Sequence, residues 1–299
     1  MKNLEGKTLS AKILAELPGR CSAVKAARGF PPSLAIVNFY PDSPSGVYAR
    51  KKMAACAKAG IETRLFSPSP NSSYAEFRNL VKQLGNNSSF DAIMLERPLP
   101  AGFEKQETWD FLPAEKDADG LSTFNMGRLL LIKKFEEIEQ NGFFVPCTAL
   151  AVIKLMKYHG IKAEGARIAI AGRSAVVGKP LAQMLTALNA TVTLCHTKTN
   201  RIEDIFRQSN IIISAAGKAK WIKKEMLPEG AVLIDVGTNL DENGKICGDA
   251  EPACAEKCSA FSPVPGGVGP ITKALLLEAT VKAAEKQIYS SAKEKKENK

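Results

Sequence analysis

The stretch Arg167 to Pro180, R-I-A-I-A-G-R-S-A-V-V-G-K-P, constrains the fold of this chain more than any other. Ile168, Ala169, Ile170 and Ala171 form a short apolar run of the kind that fills a parallel strand covered on both faces. Gly172 supplies a tight turn at its end, and Gly178 lets the following helix approach the sheet. A strand, turn and helix in this order bring backbone N–H groups to where the phosphates of a dinucleotide dock. The spacing G-x-S-x-x-x-G is not G-x-G-x-x-G, so by itself it also suits an ordinary strand-turn-helix unit with a surface arginine. The flanking residues narrow the choice. Arg173 follows the turn, and the next strand ends in His196, Thr197 and Lys198, where an NAD site presents Asp or Glu. Donors and positive charge at that edge suit a 2′-phosphate, and the cofactor expected is NADP.

Around this unit the chain alternates helix and strand. Periodicity predicts helices over Leu9 to Leu17, Val47 to Ala59, Tyr74 to Gln83, Ala149 to Tyr158 and Ile202 to Arg207. Strands are predicted over Leu34 to Phe39, Ile61 to Phe66, Ala92 to Leu95, Val192 to Cys195, Ile211 to Ala215 and Val232 to Val236. The first series ends at the turn Arg97-Pro98-Leu99-Pro100, a less regular stretch follows to about Asn141, and a second series begins at Pro146. Repeated β-α-β order implies two α/β layers with parallel sheets, which bind ligands at the carboxyl ends of their strands. Ala215, Ala216 and Gly217, like Val236, Gly237 and Thr238, stand at such ends and are candidates to line a cofactor cleft, although glycines are common in all α/β turns.

With 299 residues, 45% hydrophobic and 24% charged, the chain reads as a globular enzyme. No apolar run approaches the ~18 residues of a membrane span, and Met1 to Gly6 lacks the apolar core of a signal peptide. A cytoplasmic location follows as an expectation. Seven scattered cysteines, an odd number, read as reduced thiols. Cys254 and Cys258, with Cys247 nearby, have no second pair or adjacent histidine to complete a zinc site, so no metal is expected. Lys and Arg number 41 against 31 Asp and Glu, a net charge of +10 spread along the chain. Without an arginine-rich arm or an aromatic-studded basic strand, that charge fits anionic small molecules better than nucleic acid.

Four further clusters carry chemistry. Tyr48 and Lys52 share a face of one helix at i and i+4, an aromatic plate beside an ammonium that could stack on a flat heterocycle and move a proton, with Arg50 and Lys51 as cationic neighbours. The plainer reading is a solvated basic face. Glu96 directly follows an apolar strand, ahead of Arg97, Pro98, Leu99 and Pro100. Asp119 lies in K-D-A-D-G, a turn whose carboxylate can accept paired hydrogen bonds from an amidine-like ring edge. Ser262 to Pro270 packs prolines and glycines as a ligand-contacting loop does, with room for a cis X-Pro bond.

In order along the chain, these clusters resemble the bifunctional methylenetetrahydrofolate dehydrogenase/cyclohydrolase family, the FolD type. The matching pieces are Y-x-x-x-K at Tyr48 and Lys52, R-P-L-P in place of the family's Q-L-P-L-P, K-D-A-D-G for K-D-V-D-G, and N-M-G-R-L at 125 to 129. P-C-T at 146 to 148, G-R-S-A-V-V-G-K-P, C-H-T-K-T, I-D-V-G-T-N and P-V-P-G-G-V-G-P-I-T continue the series. The resemblance spans essentially the whole chain. It implies an α/β protein of two α/β domains, the second a Rossmann-like doubly wound parallel sheet binding NADP, with a cleft between them. The catalytic domain would occupy 1–145, completed by a C-terminal helix over about 274–290. The NADP domain would occupy 146–273, and 291–299 would be a charged disordered tail.

The resemblance further implies oxidation of 5,10-methylenetetrahydrofolate to 5,10-methenyltetrahydrofolate with NADP, then hydrolysis to 10-formyltetrahydrofolate. A homodimer working in one-carbon metabolism and purine synthesis is implied, with polyglutamylated folate open as the substrate form and with no nucleic-acid or membrane partner. Lys52 matches the catalytic lysine, Tyr48 the aromatic that stacks on folate, and Asp119 the carboxylate that holds the pterin. Leu99, Pro100 and the loop Pro263, Val264, Pro265, Gly266 and Gly267 match the substrate pocket. Gly172, Arg173, Ser174, Thr197 and Thr238 fall on cofactor positions, and Thr148, Val177, Gly178, His196, Ala215, Ala216, Gly217, Val236 and Gly237 complete that set.

One departure bears on the chemistry, because the family glutamine near the lysine is Glu96 here. Oxidation is driven by the folate's own nitrogen lone pairs and needs mainly positioning, whereas water addition needs proton traffic through Lys52. A carboxylate beside Lys52 favours its ammonium form, so Glu96 counts among the catalytic residues and is expected to weaken hydrolysis or move it to higher pH. Lesser departures are Thr197 for serine, Thr238 for isoleucine and Ala54 for a second lysine. Another Rossmann dehydrogenase, acting on shikimate or an amino acid, would bind NADP but not folate. A non-catalytic basic protein on this fold would show salt-dependent nucleic-acid affinity and no turnover.

Overall fold

The computed structural model describes residues 1–297, without the side chains of Pro44, Gln106 and 290–297. The tail read over 291–299 therefore lies outside the described side chains, and 298 and 299 lie outside the described residues altogether. Two compact units make up the chain, one of Met1–Ala11 with Arg128–Lys273, the other of Lys12–Gly127 with Ala274–Lys299.

The chain opens with β1 (Lys2–Asn3) and α1 (Lys7–Arg28). The second unit is then built by β2 (Ser33–Val37), α2 (Pro44–Ala59), β3 (Glu62–Phe66), α3 (Tyr74–Asn86), β4 (Ala92–Leu95), α4 (Gln106–Asp110) and α5 (Thr123–Leu131). Its three strands run parallel in the order β3-β2-β4, with β2 buried along its whole length. That burial suits the apolar L-A-I-V run, which has no polar face to give to water. Ser43 caps α2 by accepting the Ser45 N–H (3.2 Å), and Gly60 ends it in the left-handed conformation at φ 83°. Ser73 and Glu76 form a reciprocal capping box on α3. On one side of the sheet the rings of Phe39, Phe77 and Phe103 pack at 5.4 to 5.6 Å between centroids.

α1 runs well past the helix expected at Leu9 to Leu17, continuing through Pro18. A proline inside a helix removes one backbone bond, but Leu17 just before it and Cys21 and Val24 on the following turns are buried and hold the helix to the core. Arg28 closes it with two bonds of 2.6 Å to the buried Asp91 carboxylate.

In the first unit the chain passes through α6 (Glu137–Gln140), α7 (Cys147–Tyr158), β5 (Arg167–Ala171), α8 (Gly178–Thr186), β6 (Thr191–Cys195), α9 (Ile202–Arg207), β7 (Ile211–Ser214) and β8 (Ala231–Asp235). A small antiparallel pair, β9 (Asn239–Leu240) and β10 (Ile246–Cys247), precedes β11 (Cys258–Phe261) and the long α10 (Val268–Glu297). Six strands run parallel in the order β1-β11-β8-β7-β5-β6. From β5 the chain moves to β6 on one side and then to β7 on the other, so the order reverses at β5. That reversal is the switch point at which open parallel sheets bind ligands.

Residues 128–145 fall in the unit of this larger sheet, whereas the sequence reading begins the nucleotide domain at 146. Contacts that hold them there include the Phe135 N–H donating to the Ala187 carbonyl (3.3 Å) and the Gln183 amide donating to the Ile132 carbonyl (3.2 Å). The later part of α10 belongs with the three-stranded unit. Arg20 on α1 binds Glu285 (2.7 Å) and Glu278 (3.5 Å), and the Gln287 amide donates to the Asp91 carbonyl (3.1 Å). Among the described residues no helix is long and apolar enough to cross a membrane. All seven cysteines are buried and none is in a disulfide, and burial pushes the Cys56 and Cys258 thiols up to about 12.

Candidate functional site

In the three-stranded unit, Lys52 lies on the third turn of α2 and Glu96 follows the last residue of β4. The Glu96 N–H donates to the Val37 carbonyl (2.8 Å), which keeps the residue in register with β2 just beyond its last pair. The Lys52 ammonium donates to both Glu96 oxygens, at 2.8 and 3.0 Å, with the Met94 sulfur at 3.9 Å. The two side chains keep 20% and 10% exposure, so the pair is shielded but not sealed from a ligand. Arg50 and Lys51, expected as cationic neighbours of Lys52, turn elsewhere. Arg50 donates to the Pro41 carbonyl (2.8 Å), and the Lys51 ammonium stands 5.8 Å from the centre of the half-buried Tyr48 ring.

Asp119 reaches the same sheet edge by a pairing that no local pattern announces. Ile93 on β4 forms a parallel bridge with Asp117, and its N–H donates to the Lys116 carbonyl (2.7 Å). The K-D-A-D-G segment is thus one more rung beside β4, and its end emerges near Glu96. The two aspartates of that segment have different work. Asp117 is fully buried and accepts from the Ser122 N–H (2.6 Å) and the Asn125 amide (3.0 Å), which accounts for the asparagine of N-M-G-R-L. Burial pushes its carboxyl up, against those hydrogen bonds. Asp119, half-buried, takes no part in those bonds. Burial pushes its carboxyl up to about 6, while Arg97 and, more weakly, Lys52 pull it down.

Leu99 and Pro100 are buried, and Leu99 packs in the aromatic core with Leu95 and Phe103. An open depression of ≈ 620 Å³ is lined by Arg97, Pro98, Leu99, Pro100, Ala101, Gly102 and Glu104. Arg97 binds Glu104 (2.9 Å) and lies 5.3 Å from the Trp109 ring. The loop Pro263 to Gly267 belongs to the other unit, where the Gly6 N–H donates to the Gly266 carbonyl (2.8 Å). The Val264–Pro265 bond there is cis, as is Arg97–Pro98.

In the six-stranded unit, the turn after β5 is cleared for close approach. Gly172 has φ 129°, and a β-carbon on it would lie 2.2 Å from the Ala215 carbonyl oxygen; one on Gly178 would lie 1.9 Å from the Gly172 carbonyl oxygen. Both positions admit only glycine. The Ser174 hydroxyl accepts the Val177 N–H (3.2 Å), and Arg173 is exposed beside the turn. These features fit a nucleotide whose phosphates approach the backbone. At the end of β6 the His196 N–H donates to the Thr199 hydroxyl (2.9 Å) and the Lys198 N–H to His196 Nδ1 (3.1 Å), while Thr197 is exposed. Thr148 is half-buried on the first turn of α7. Ala215, Ala216 and Gly217 follow β7, and Val236, Gly237 and Thr238 follow β8, so all six lie at strand ends of this sheet.

The sequence reading missed the residue that shapes two of these turns. Asp249, with no exposure, accepts from the Ser214 hydroxyl (2.8 Å), the N–H groups of Ala216 (2.7 Å), Gly217 (3.3 Å) and Lys218 (3.0 Å), and the Asn239 amide (2.9 Å). A local signal exists only in Gly237 and Gly248. A β-carbon on the first would lie 2.2 Å from an Asp249 oxygen, and on the second 2.0 Å from an Asp235 oxygen.

A parallel sheet with a glycine-cleared turn at its switch point, in one chain with an α/β unit that carries a lysine–carboxylate pair, defines a two-unit α/β protein of the dinucleotide-binding class. Residues 4–119 match the catalytic domain, and 146–288 the NAD(P)-binding domain, of tetrahydrofolate dehydrogenase/cyclohydrolase. The chain belongs to that family. It is 43% identical to the bifunctional protein FolD of Elusimicrobium minutum over 286 residues, 95% of this chain and 99% of the relative. The crystal structure of the bifunctional FolD enzyme from Campylobacter jejuni superposes with a TM-score of 0.88 at 38% identity, covering 96% of this chain and 99% of that one. The Trypanosoma brucei methylenetetrahydrofolate dehydrogenase-cyclohydrolase, solved with NADP cofactor and an inhibitor, gives 0.85 at 30% identity over 95% and 97%.

Proposed function

We propose that this protein oxidises 5,10-methylenetetrahydrofolate to 5,10-methenyltetrahydrofolate with NADP and hydrolyses the product to 10-formyltetrahydrofolate. The observation that carries the reading is the gathering of Lys52, Glu96 and Asp119 at one sheet edge, in a chain whose two parts match the two domains of this family. NADP supplies the electron acceptor. The Gly172 turn, Ser174 and the exposed Arg173 would hold it, the last suiting a 2′-phosphate. The oxidation leaves positive charge that the folate's own nitrogens carry, so this chain's task there is positioning, with Asp119 accepting from the pterin edge and Tyr48 stacking on it. Work as a cytoplasmic homodimer on a folate, with or without a polyglutamate tail, feeding purine synthesis, belongs to the same reading. The test is methylenetetrahydrofolate with NADP or NAD, following reduced cofactor and the methenyl chromophore separately. Reduction of NADP in preference to NAD is expected, and no folate-dependent reduction of either would end the reading.

Hydrolysis is the more exposed activity. Water addition requires a proton to leave the attacking water, and Lys52 can take it only from its neutral form. The Glu96 carboxylate accepts two hydrogen bonds from Lys52, at 2.8 and 3.0 Å, and must release them before the lysine can serve the water. The methenyl species therefore accumulates during turnover. In Glu96→Gln, which removes the ion pair, hydrolysis at neutral pH rises several-fold. Equal rates for the two proteins at every pH would remove Glu96 from the mechanism.

A further inference from the structure

The end of β7 holds a feature that the family motifs do not describe. Three successive N–H groups, of Ala216, Gly217 and Lys218, converge on one carboxylate, that of Asp249. Converging backbone N–H groups form a concavity suited to an anion, and in nucleotide-binding turns a phosphate commonly occupies it. Here the anion comes from within the chain and has no exposure to solvent. The Ser214 hydroxyl and the Asn239 amide complete its donors, so the carboxylate joins the end of β7 to the residues just after β8.

The turn so held is the one that meets the phosphate turn. A β-carbon on Gly172 would stand 2.2 Å from the carbonyl oxygen of Ala215, the residue next to the first N–H that Asp249 accepts. Any displacement of the 216–218 backbone is therefore passed at contact distance to the switch point. A second buried carboxylate fixes Asp249 in turn. Asp235 accepts from the Asp249 N–H (3.1 Å), the Ala250 N–H (2.8 Å) and the Gly237 N–H (2.9 Å). Gly237 and Gly248 leave room for these carboxylates, since a side chain on either would overlap them.

We infer that Asp249 is a positioning residue for the nicotinamide nucleotide: an internal anion that fills the N–H concavity after β7 and sets the backbone on which the cofactor rests. Exchange of one carboxylate oxygen for an amide nitrogen leaves N–H groups of this turn without an acceptor and loosens the wall beside Gly172, with no direct contact to folate removed. The inference rests on the NADP reading, and the experiment separates the two. NADP is titrated calorimetrically into the wild type, Asp249→Asn and Ser214→Ala, with folding followed by circular dichroism and with kcat and both KM values measured. Asp249→Asn is expected to weaken NADP binding about tenfold, the scale of one charge-assisted hydrogen bond, and to leave the KM for methylenetetrahydrofolate within about twofold. Ser214→Ala, which removes one donor, is expected to weaken NADP binding by about two- to threefold.

A purely structural carboxylate would give a different pattern, a smaller folded fraction and lower apparent kcat with NADP affinity unchanged. That pattern overturns the inference. If Asp249→Asn does not fold, Ser214→Ala and Asn239→Ala decide, and wild-type NADP affinity in both overturns it. A wild type that fails to bind NADP overturns the cofactor reading itself, whereas a wild type that binds while the variants bind equally well overturns only the role of Asp249.

Discussion

The two units use buried charge in opposite ways. In the three-stranded unit, Lys52 and Glu96 satisfy one another and keep 20% and 10% exposure, so an incoming group can still compete for either. In the six-stranded unit, Asp235 and Asp249 have 2% and no exposure, and their oxygens are occupied by backbone N–H groups, a hydroxyl and an amide. A carboxylate bonded to its own backbone fixes shape, and one bonded to a mobile ammonium retains chemistry. A reaction that adds water needs a lysine that can still change partners, an exchange that the ion pair with Glu96 slows without preventing. Holding a cofactor needs the first arrangement, because phosphates are recognised by where the backbone stands.

The contrast breaks first at Lys52. Lys52→Ala should lower hydrolysis of methenyltetrahydrofolate by about 10² to 10⁴, the range for a lost acid–base group, with a much smaller fall in oxidation. An equal fall in both activities would make the ion pair a structural device like its counterpart in the other unit. On the cofactor side, Gly172→Ala forces a β-carbon into φ 129° and to within 2.2 Å of the Ala215 oxygen. Strain of about 1 to 3 kcal/mol translates into NADP binding weaker by roughly 10- to 100-fold, read by calorimetry on the folded fraction. Unchanged affinity would move the cofactor away from this turn.

How much of this was legible in the sequence depends on how local each signal is. The strands over 92–95 and 168–171 are apolar runs bounded by turn residues, and they lie where the pattern places them. β1 was not legible, since Lys2 and Asn3 are two exposed polar residues that become a strand only by pairing with Ala260 and Phe261. β11 escaped for a related reason, as C-S-A-F has neither an apolar run nor strict alternation. The motif residues Lys52, Glu96 and Asp119 were named through resemblance, but their meeting depends on the bridge between Ile93 and Asp117, a long-range pairing with no signature in K-D-A-D-G. Asp249 sits in G-D, which reads as an everyday turn until five donors converge on it. The cationic neighbours expected to act on Lys52 were a matter of side-chain direction, which spacing on a helix does not determine.

The smallest expected effect is a titration, and it sharpens the contrast from the substrate side. Asp119 has its carboxyl raised to about 6 by burial, partly offset by Arg97, against an ordinary value of 3.8. The folded protein therefore holds a proton there between pH 3.8 and about 6 that the unfolded chain has released, so this group's contribution to stability is greatest below that window and falls as pH rises through it. In the proposed role, binding of the pterin would run the other way, because only the ionised carboxylate accepts two hydrogen bonds from the ring edge. A folate analogue should bind about tenfold more weakly at pH 5 than at pH 7.5, as expected one unit below the midpoint of a single ionisation. Asp119→Asn should bind weakly throughout and lose that slope. If the analogue's affinity were flat across the window in the wild type, Asp119 would join Asp117 as a residue that fixes the loop, and the pterin would have to be held by other groups of the three-stranded unit.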